Sequence, residues 1–404
     1  MATRTARGNR RMLGMLTGTH VVNDIYAGAV PALLPYLVAE RHYSYAAVSG
    51  VALAATVLSS LVQPGFGLLT DRYRLGWLVG GGMLVSGIGV GLSGVFDGYL
   101  LTCIAVAISG IGVAAYHPEA ARAARLASGG SAQGMSVFSV GGNIGIAIAP
   151  VLVALVLSQT GVTGTPLLAA PAVAMGVVYA VFRARLRRAA AANGIASPPK
   201  GRPPRVGVDD WPRFWVLVGV IILRSIGSVG SGAFLALYVI DQYGQSLSVG
   251  STAQGLYGGA GVAGTLLGGW MADRLGRVET LRWAYVAAPI LMAGFILSPN
   301  VYLALAAVSL LGVAAFVPFS VQVTLGQEYL PNRMGTASGV TLGIGITIGG
   351  LFTPVLGWVA DQAGLGAALW LGLATLVAAA LLSLALRNPA IVVTPAPVPE
   401  KVTP

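Results

Sequence analysis

The dominant pattern along this chain is a repeated alternation between long apolar runs and short polar breaks. Runs of about twenty apolar residues are long enough, as helices, to cross a hydrocarbon layer of roughly 30 Å. They fall near 12–38, 46–69, 75–96, 100–118, 133–158, 165–183, 214–239, 248–271, 280–298, 301–325, 335–359 and 366–386. The pattern predicts twelve transmembrane helices. One break stands apart from the rest. From Phe182 to Arg213 the chain carries Arg183, Arg185, Arg187, Arg188, Lys200, Arg202, Arg205 and Arg213, with Pro198, Pro199, Pro203, Pro204 and Pro212 among them. Those prolines forbid one continuous helix, because each lacks the amide hydrogen that a helix interior uses. The stretch divides the chain into apolar halves of nearly equal length.

The halves also repeat. Gly67-Leu-Leu-Thr-Asp71-Arg72 closes the second run, and Gly269-Trp-Met-Ala-Asp273-Arg274 closes the eighth, about 200 residues later. Gly112-Val-Ala-Ala-Tyr116 returns as Gly312-Val-Ala-Ala-Phe316, and Pro150-Val-Leu152 returns as Pro354-Val-Leu356. Three matches in one order and at nearly one offset indicate a six-plus-six duplication. The expected organisation is an N-terminal half over 1–183, a linker over 184–213, a C-terminal half over 214–387 and a disordered tail over 388–404.

Composition agrees with the pattern. The 404 residues are 55% hydrophobic and 9% charged, against about 25% charged in a soluble domain, so the surface must face lipid. The net charge of +11 sits in loops rather than on one face, which makes it a topology signal and excludes a nucleic-acid partner. Nearly all of the 24 basic residues gather on one side if both termini are cytoplasmic. Cys103, the single cysteine, allows neither an intramolecular disulfide nor a CxxC site. The segment 12–38 follows Arg4, Arg7, Arg10 and Arg11 but is too long for a signal-peptide core, and it reads as a retained first helix.

Polar groups inside the apolar runs are the functional candidates, since an aspartate at a helix centre costs roughly 2.5–3.5 kcal/mol on insertion scales. Asp24 sits near the middle of the first run, with Asn23 beside it and His20 one turn earlier on the same face. A histidine beside a carboxylate in a low-dielectric cleft can exchange protons near neutral pH; a static packing cluster is the alternative. Arg224 holds the position equivalent to Asp24 in the second half. The two charges are expected to meet, or to share an anionic ligand, at a central cavity; a permanent ion pair is the alternative.

His117-Pro118-Glu119, with Arg122, closes the fourth run, and Gln327-Glu328, with Arg333, closes the tenth. Pro118 should end or bend its helix there, leaving an imidazole, a carboxylate and a guanidinium together as a proton or substrate site, or as a gate. No second histidine or cysteine stands at metal-ligand spacing from His117, so no metal is expected. Asp71 and Asp273 can accept hydrogen bonds from a neighbouring helix N-terminus, while Arg72, Arg274 and Arg277 pair with acids, forming a gate at which Gly67 and Gly269 permit close approach. Asn143 is a candidate cavity residue. No catalytic constellation is complete, so the chain is not expected to be an enzyme.

Twelve runs, a basic central loop and paired G-x-x-x-D-R loops resemble the major facilitator superfamily. The Gly141-Gly142-Asn143-Ile-Gly145 stretch ending at Pro150 resembles an antiporter motif of its fifth helix. More narrowly, His20-Val-Val-Asn23-Asp24, His117-Pro118-Glu119-Ala-Ala-Arg122, the same glycine stretch and Gln327-Glu328-Tyr-Leu-Pro331-Asn-Arg333-Met-Gly335 resemble the fosmidomycin resistance family. That resemblance implies an all-helical fold in two pseudo-symmetric halves and proton-driven efflux of small polar or anionic compounds from a bacterial inner membrane. It implies a monomer, with no cofactor beyond the proton gradient. Asp24, His20, His117 and Glu119 would then couple protons. Arg224, Asn23, Asn143, Arg122, Gln327 and Glu328 would meet substrate. Uptake through the same fold, by symport or uniport, is the alternative, and a transporter-like sensor the more distant one.

Overall fold

The structure, a computed structural model, describes residues 9–389 except 44, 74, 193–206 and 233. Fifteen α-helices account for nearly all of it. They are α1 (Arg10–Arg41), α2 (Tyr45–Leu61), α3 (Gln63–Arg72), α4 (Leu78–Leu92), α5 (Tyr99–Ala127), α6 (Ala132–Thr160), α7 (Ala170–Ala192), α8 (Trp211–Ser225), α9 (Leu235–Tyr243), α10 (Leu247–Leu275), α11 (Arg277–Ile296), α12 (Val301–Phe316), α13 (Pro318–Tyr329), α14 (Met334–Ala363) and α15 (Leu365–Ser383). Three pairs are single rods with an internal break: α2–α3, α8–α9 and α12–α13. That leaves twelve rods, as the apolar runs require. Nine helical segments among the described residues are long and apolar enough to cross a membrane.

Each break has a local cause. Pro64 at the start of α3 cannot donate to the preceding turn, and the amides of Gly65 and Phe66 turn to the carbonyl of Val62 instead. Pro318 divides α12 from α13 in the same manner. Between α8 and α9 the backbone widens into a π-turn at Ile226–Gly230, a distortion often found at functional sites.

Pro118 breaks nothing. α5 runs through it from Tyr99 to Ala127, contrary to the expectation that the proline ends or bends the fourth helix. Neighbouring rods in membrane bundles can satisfy the carbonyl that a proline frees. Helix α7 runs past residue 184, the expected start of the linker. α7 continues to Ala192, and α8 opens at Trp211 with the Asp210 carboxylate accepting the Arg213 amide. Lys200, Arg202, Arg205 and the proposed tail beyond residue 389 lie outside the described residues, as do Arg4 and Arg7.

In the first half, α1 is packed against α6, α5 and α4, while α5 also holds α2 and α4. In the second, α10 and α11 flank α12, and α15 bridges α8 and α11. The halves meet mainly through α3 against α14 and α6 against α10. Both contacts lie at the end where the basic loops gather. They are close because Gly67 faces the backbone of α14, and Gly269 faces that of α6. A methyl group added at Gly67 would stand 2.8 Å from the Gly335 carbonyl carbon and 2.9 Å from the Thr336 Cα.

Backbone atoms cannot yield as a side-chain tip can, so Gly67→Ala must push α3 and α14 apart. We expect it to lower stability by about 1–3 kcal/mol, read from thermal unfolding in detergent. Gly258→Ala, with nothing within 4 Å of the added carbon, should leave the midpoint unchanged or slightly raised. Equal midpoints for the two variants would contradict the close seam.

Candidate functional site

Three glycines of α6 let α1 approach it at backbone distance: Gly141 faces the Thr17 carbonyl, Gly145 faces that of Val21, and Gly142 faces two side chains of α1. The glycine stretch is thus the bed on which Asp24 lies. A carbon added at Gly142 would stand 2.5 Å from Asp24 Oδ2 and 2.8 Å from His20 Nε2.

On this bed Asp24 is held between two imidazoles. His20 Nε2 lies 3.2 Å from Asp24 Oδ2, and His117 Nε2 lies 3.3 Å from Oδ1. Asn23 donates to Oδ1 at 2.9 Å and is itself steadied by Ser86, which donates to its carbonyl oxygen. The other nitrogens of the two rings are fixed by backbone. His20 Nδ1 is 2.8 Å from the Phe138 carbonyl, and His117 Nδ1 is 2.8 Å from that of Val113. A carbonyl only accepts, so both Nδ1 atoms carry hydrogen, and each Nε2 is the nitrogen left to face the carboxylate. The His20 ring is further stacked on Phe138, centroids 4.2 Å apart.

The three side chains form part of the wall of a cavity of about 340 Å³ between α1, α2, α5 and α6, which Phe319, Val323 and Leu342 of the second half complete. Asn143 is in the same wall, its buried Nδ2 without a partner among the described residues. Gln63 shares both properties. The sequence conceals it, because it reads as an ordinary member of an unbroken second helix; the Gln63-Pro64 pair is the available signal. Donor atoms of His20, Asp24 and His117 all lie within 4.8 Å of one another. The second histidine that sequence spacing lacked therefore arrives from another rod, and the trio could also accommodate a divalent cation.

Several expected groupings come apart. His117 does not join Glu119 and Arg122. Residues two apart on a helix face different ways, so Glu119 turns from the cavity and is held by Arg122 through two hydrogen bonds of 2.9 and 2.6 Å. Asp24 and Arg224 make no contact. Arg224 Nη2 reaches the Ala315 carbonyl at 3.1 Å, inside its own half. Glu328 is bound to Arg125 at 2.7 Å and to Arg277 at 3.1 Å, which makes it a tie between the halves. Gln327 donates to Ser338, and with Glu328 lines a cleft of about 690 Å³ at the basic end. Arg333 pairs with Asp209 at 3.4 Å.

Asp71 and Asp273 each accept hydrogen bonds at a helix N-terminus of the opposite half. Asp71 accepts the amides of Gly335 and Thr336 at 2.7 and 2.8 Å, at the start of α14. Asp273 accepts those of Ala132 and Gln133 at 2.7 and 3.0 Å, and the Ser131 hydroxyl at 2.7 Å, at the start of α6. Each half thus caps a helix N-terminus of the other with a carboxylate, the arrangement that the helix dipole favours. Their arginine neighbours do not pair with acids among the described residues: Arg72 lies over Tyr73 and Arg274 over Trp270.

A two-half bundle of twelve rods, closed at one end by reciprocal caps around a polar cavity, defines a membrane transporter. The sequence profile of the Major Facilitator Superfamily matches residues 16–354, and the chain belongs to that family; it is not an enzyme. It is 27% identical over 368 residues to the fosmidomycin resistance protein of Escherichia coli (strain K12), covering 89% of each chain. It is 28% identical over 356 residues to the uncharacterized MFS-type transporter YfnC of Bacillus subtilis (strain 168), covering 86% of this chain and 85% of that one. The E. coli fucose:proton symporter FucP has a similar fold, with a TM-score of 0.75 at 14% identity over 95% of this chain and all of FucP.

Gly142→Ala tests the bed beneath Asp24. The added carbon must displace the carboxylate or the His20 ring, both of which are side-chain groups, so the bundle itself can stay intact. We expect transport activity to fall at least about tenfold while stability changes by only about 1 kcal/mol. Wild-type transport by this variant would detach the glycine from the site.

Proposed function

We propose that this chain is a proton-coupled antiporter that exports small polar or anionic compounds by alternating access. Its basic end would face the cytoplasm of a bacterial inner membrane, and it would work as a monomer. The observation that carries the reading is Asp24 between two imidazoles whose Nδ1 hydrogens are already committed to backbone carbonyls. With Nδ1 engaged, an unprotonated Nε2 points a lone pair at a carboxylate oxygen, which repels it. A proton on either Nε2 replaces that repulsion with a charge-assisted hydrogen bond. The trio is therefore a place where protons are held or released according to the field of the adjoining cavity.

Gln63 and Asn143 suggest what the cavity receives. Both present amide donors without partners among the described residues, and buried donors left empty are costly, about 1–3 kcal/mol each. An acceptor-rich group such as a phosphonate would satisfy them, in keeping with the name of the E. coli relative. The attraction between Asp24 and Arg224 expected from the sequence has no contact to act through in this conformation, so coupling is assigned to the histidines instead. In the cycle we favour, protons arrive at the trio from outside while the basic end is capped shut. Substrate leaves, and opening of the caps at Asp71 and Asp273 returns the protons to the cytoplasm.

Proteoliposomes holding the purified protein, with a pH-sensitive dye outside, test this. Adding fosmidomycin without an imposed pH gradient should evoke proton flow opposite to the substrate. Asp24→Asn should abolish that flow while leaving substrate binding measurable. Proton flow in the same direction as substrate would replace antiport with symport. Normal coupled transport by Asp24→Asn would remove the trio from the mechanism.

A further inference from the structure

The second half contains a guanidinium in an unusual setting. Arg224 is 8% exposed, and its Nε has no partner among the described residues. Its Nη2 donates to a backbone carbonyl rather than to an acid. Buried charges are ordinarily paired, because removing an ion from water is compensated only by an opposite charge or several hydrogen bonds. No carboxylate lies within ion-pair distance of Arg224 among the described residues.

Beside it is a small cavity with room for at least one water-sized sphere. Its polar lining consists of Arg224, Ser228, Ser231, Tyr257 and Tyr285; the Ser228 hydroxyl already donates to the Arg224 carbonyl at 2.9 Å, and the other four have donors to offer. The rest is apolar: Met292, Leu311 and Leu376 among others. Ser231 is 2% exposed, and its hydroxyl also has no partner among the described residues. The tyrosine hydroxyls are loosely engaged, Tyr257 to the Ser228 carbonyl at 3.3 Å and Tyr285 to Gln322 at 3.4 Å. Both distances exceed the usual 2.5–3.0 Å of a hydroxyl hydrogen bond, so either group can turn to a better acceptor. The π-turn at Ile226–Gly230 lies between Arg224 and Ser231 on the same rod.

The geometry points to an anion site in which a halide such as chloride serves as the counter-ion of Arg224. A water molecule would fill the space but leave the charge uncompensated. With a halide in place, Arg224 on α8 is tied to the hydroxyls of α10 and α11, so the anion fastens the core of the second half. This site is separate from the Asp24 cavity, with which it shares no lining residue, and it stands whether or not protons drive transport.

The full-length protein, purified in detergent without chloride, provides the test. Chloride or bromide is titrated against gluconate at matched ionic strength, and thermal unfolding is followed by intrinsic fluorescence. Halides should raise the midpoint saturably, by about 5 °C at concentrations near 100 times the dissociation constant, while gluconate leaves it unmoved. Ser231→Val should weaken the response, and Arg224→Gln should remove it. Should Arg224→Gln fail to fold, broadening of the 35Cl resonance by wild-type protein, reversed by excess bromide and diminished in Ser231→Val, reports the same site. Equal midpoints in chloride and gluconate, with no broadening, would overturn the inference. So would stabilisation by fosmidomycin through Arg224 without any response to chloride, which would give the guanidinium to the substrate.

Discussion

The carboxylate of Asp24, held between two imidazoles and buried in an apolar bundle, is the constraint on which the rest of the first half depends. A charge at that depth requires opposing charge or several donors: Asn23 supplies one, and the two imidazoles supply more when Nε2 is protonated. α6 is stripped to glycine where α1 must approach, so that His20 and Asp24 fit against it. α5 runs unbroken through Pro118 and so delivers His117 to the other carboxylate oxygen. Phe138 supports the His20 ring with its own ring and fixes its Nδ1 with its carbonyl. What resembles a motif in one helix is packing around a group in another.

Closure of the basic end follows a different logic from the cavity. Asp71 and Asp273 are placed at the starts of helices α14 and α6, where unsatisfied amides and the positive end of the helix dipole already favour an anion. Each cap joins one half to the other, and Glu328 with Arg125 and Arg277 adds a third link at the same end. Such contacts are strong when aligned and decline steeply with separation.

Much of this was legible in the chain. Twelve apolar runs, the duplication and the capping role of the two aspartates could all be read from spacing, because each depends on local length or on a repeated motif. The neighbours of Asp24 could be read only in part. His20 is one helical turn from it, whereas His117 lies on another rod, and no pattern within one helix specifies that meeting. The His117-Glu119 grouping was misleading for a reason available beforehand, since positions two apart point away from each other. The direct meeting of Asp24 and Arg224, one of the two arrangements expected, is absent for a subtler reason. Symmetry makes Asp24 and Arg224 equivalent, but equivalence directs each charge into the same place within its own half: Asp24 towards α5, and Arg224 towards α12. Gln63 stayed hidden because the second run reads as one unbroken helix, and only the proline that follows it marks the break.

The central claim is that His20 and His117 present Nε2 to Asp24 while Nδ1 remains bound to backbone. Nitrogen-15 NMR of histidine-labelled protein reads this directly, and with only three histidines in the chain the signals can be assigned by single substitutions. The account predicts that both rings keep a hydrogen on Nδ1 at every pH at which the protein is folded, and that the Nε2 signals alone change with protonation, both altered by Asp24→Asn. A bare Nδ1 on either ring in the folded protein, or Nε2 signals indifferent to Asp24, would contradict it.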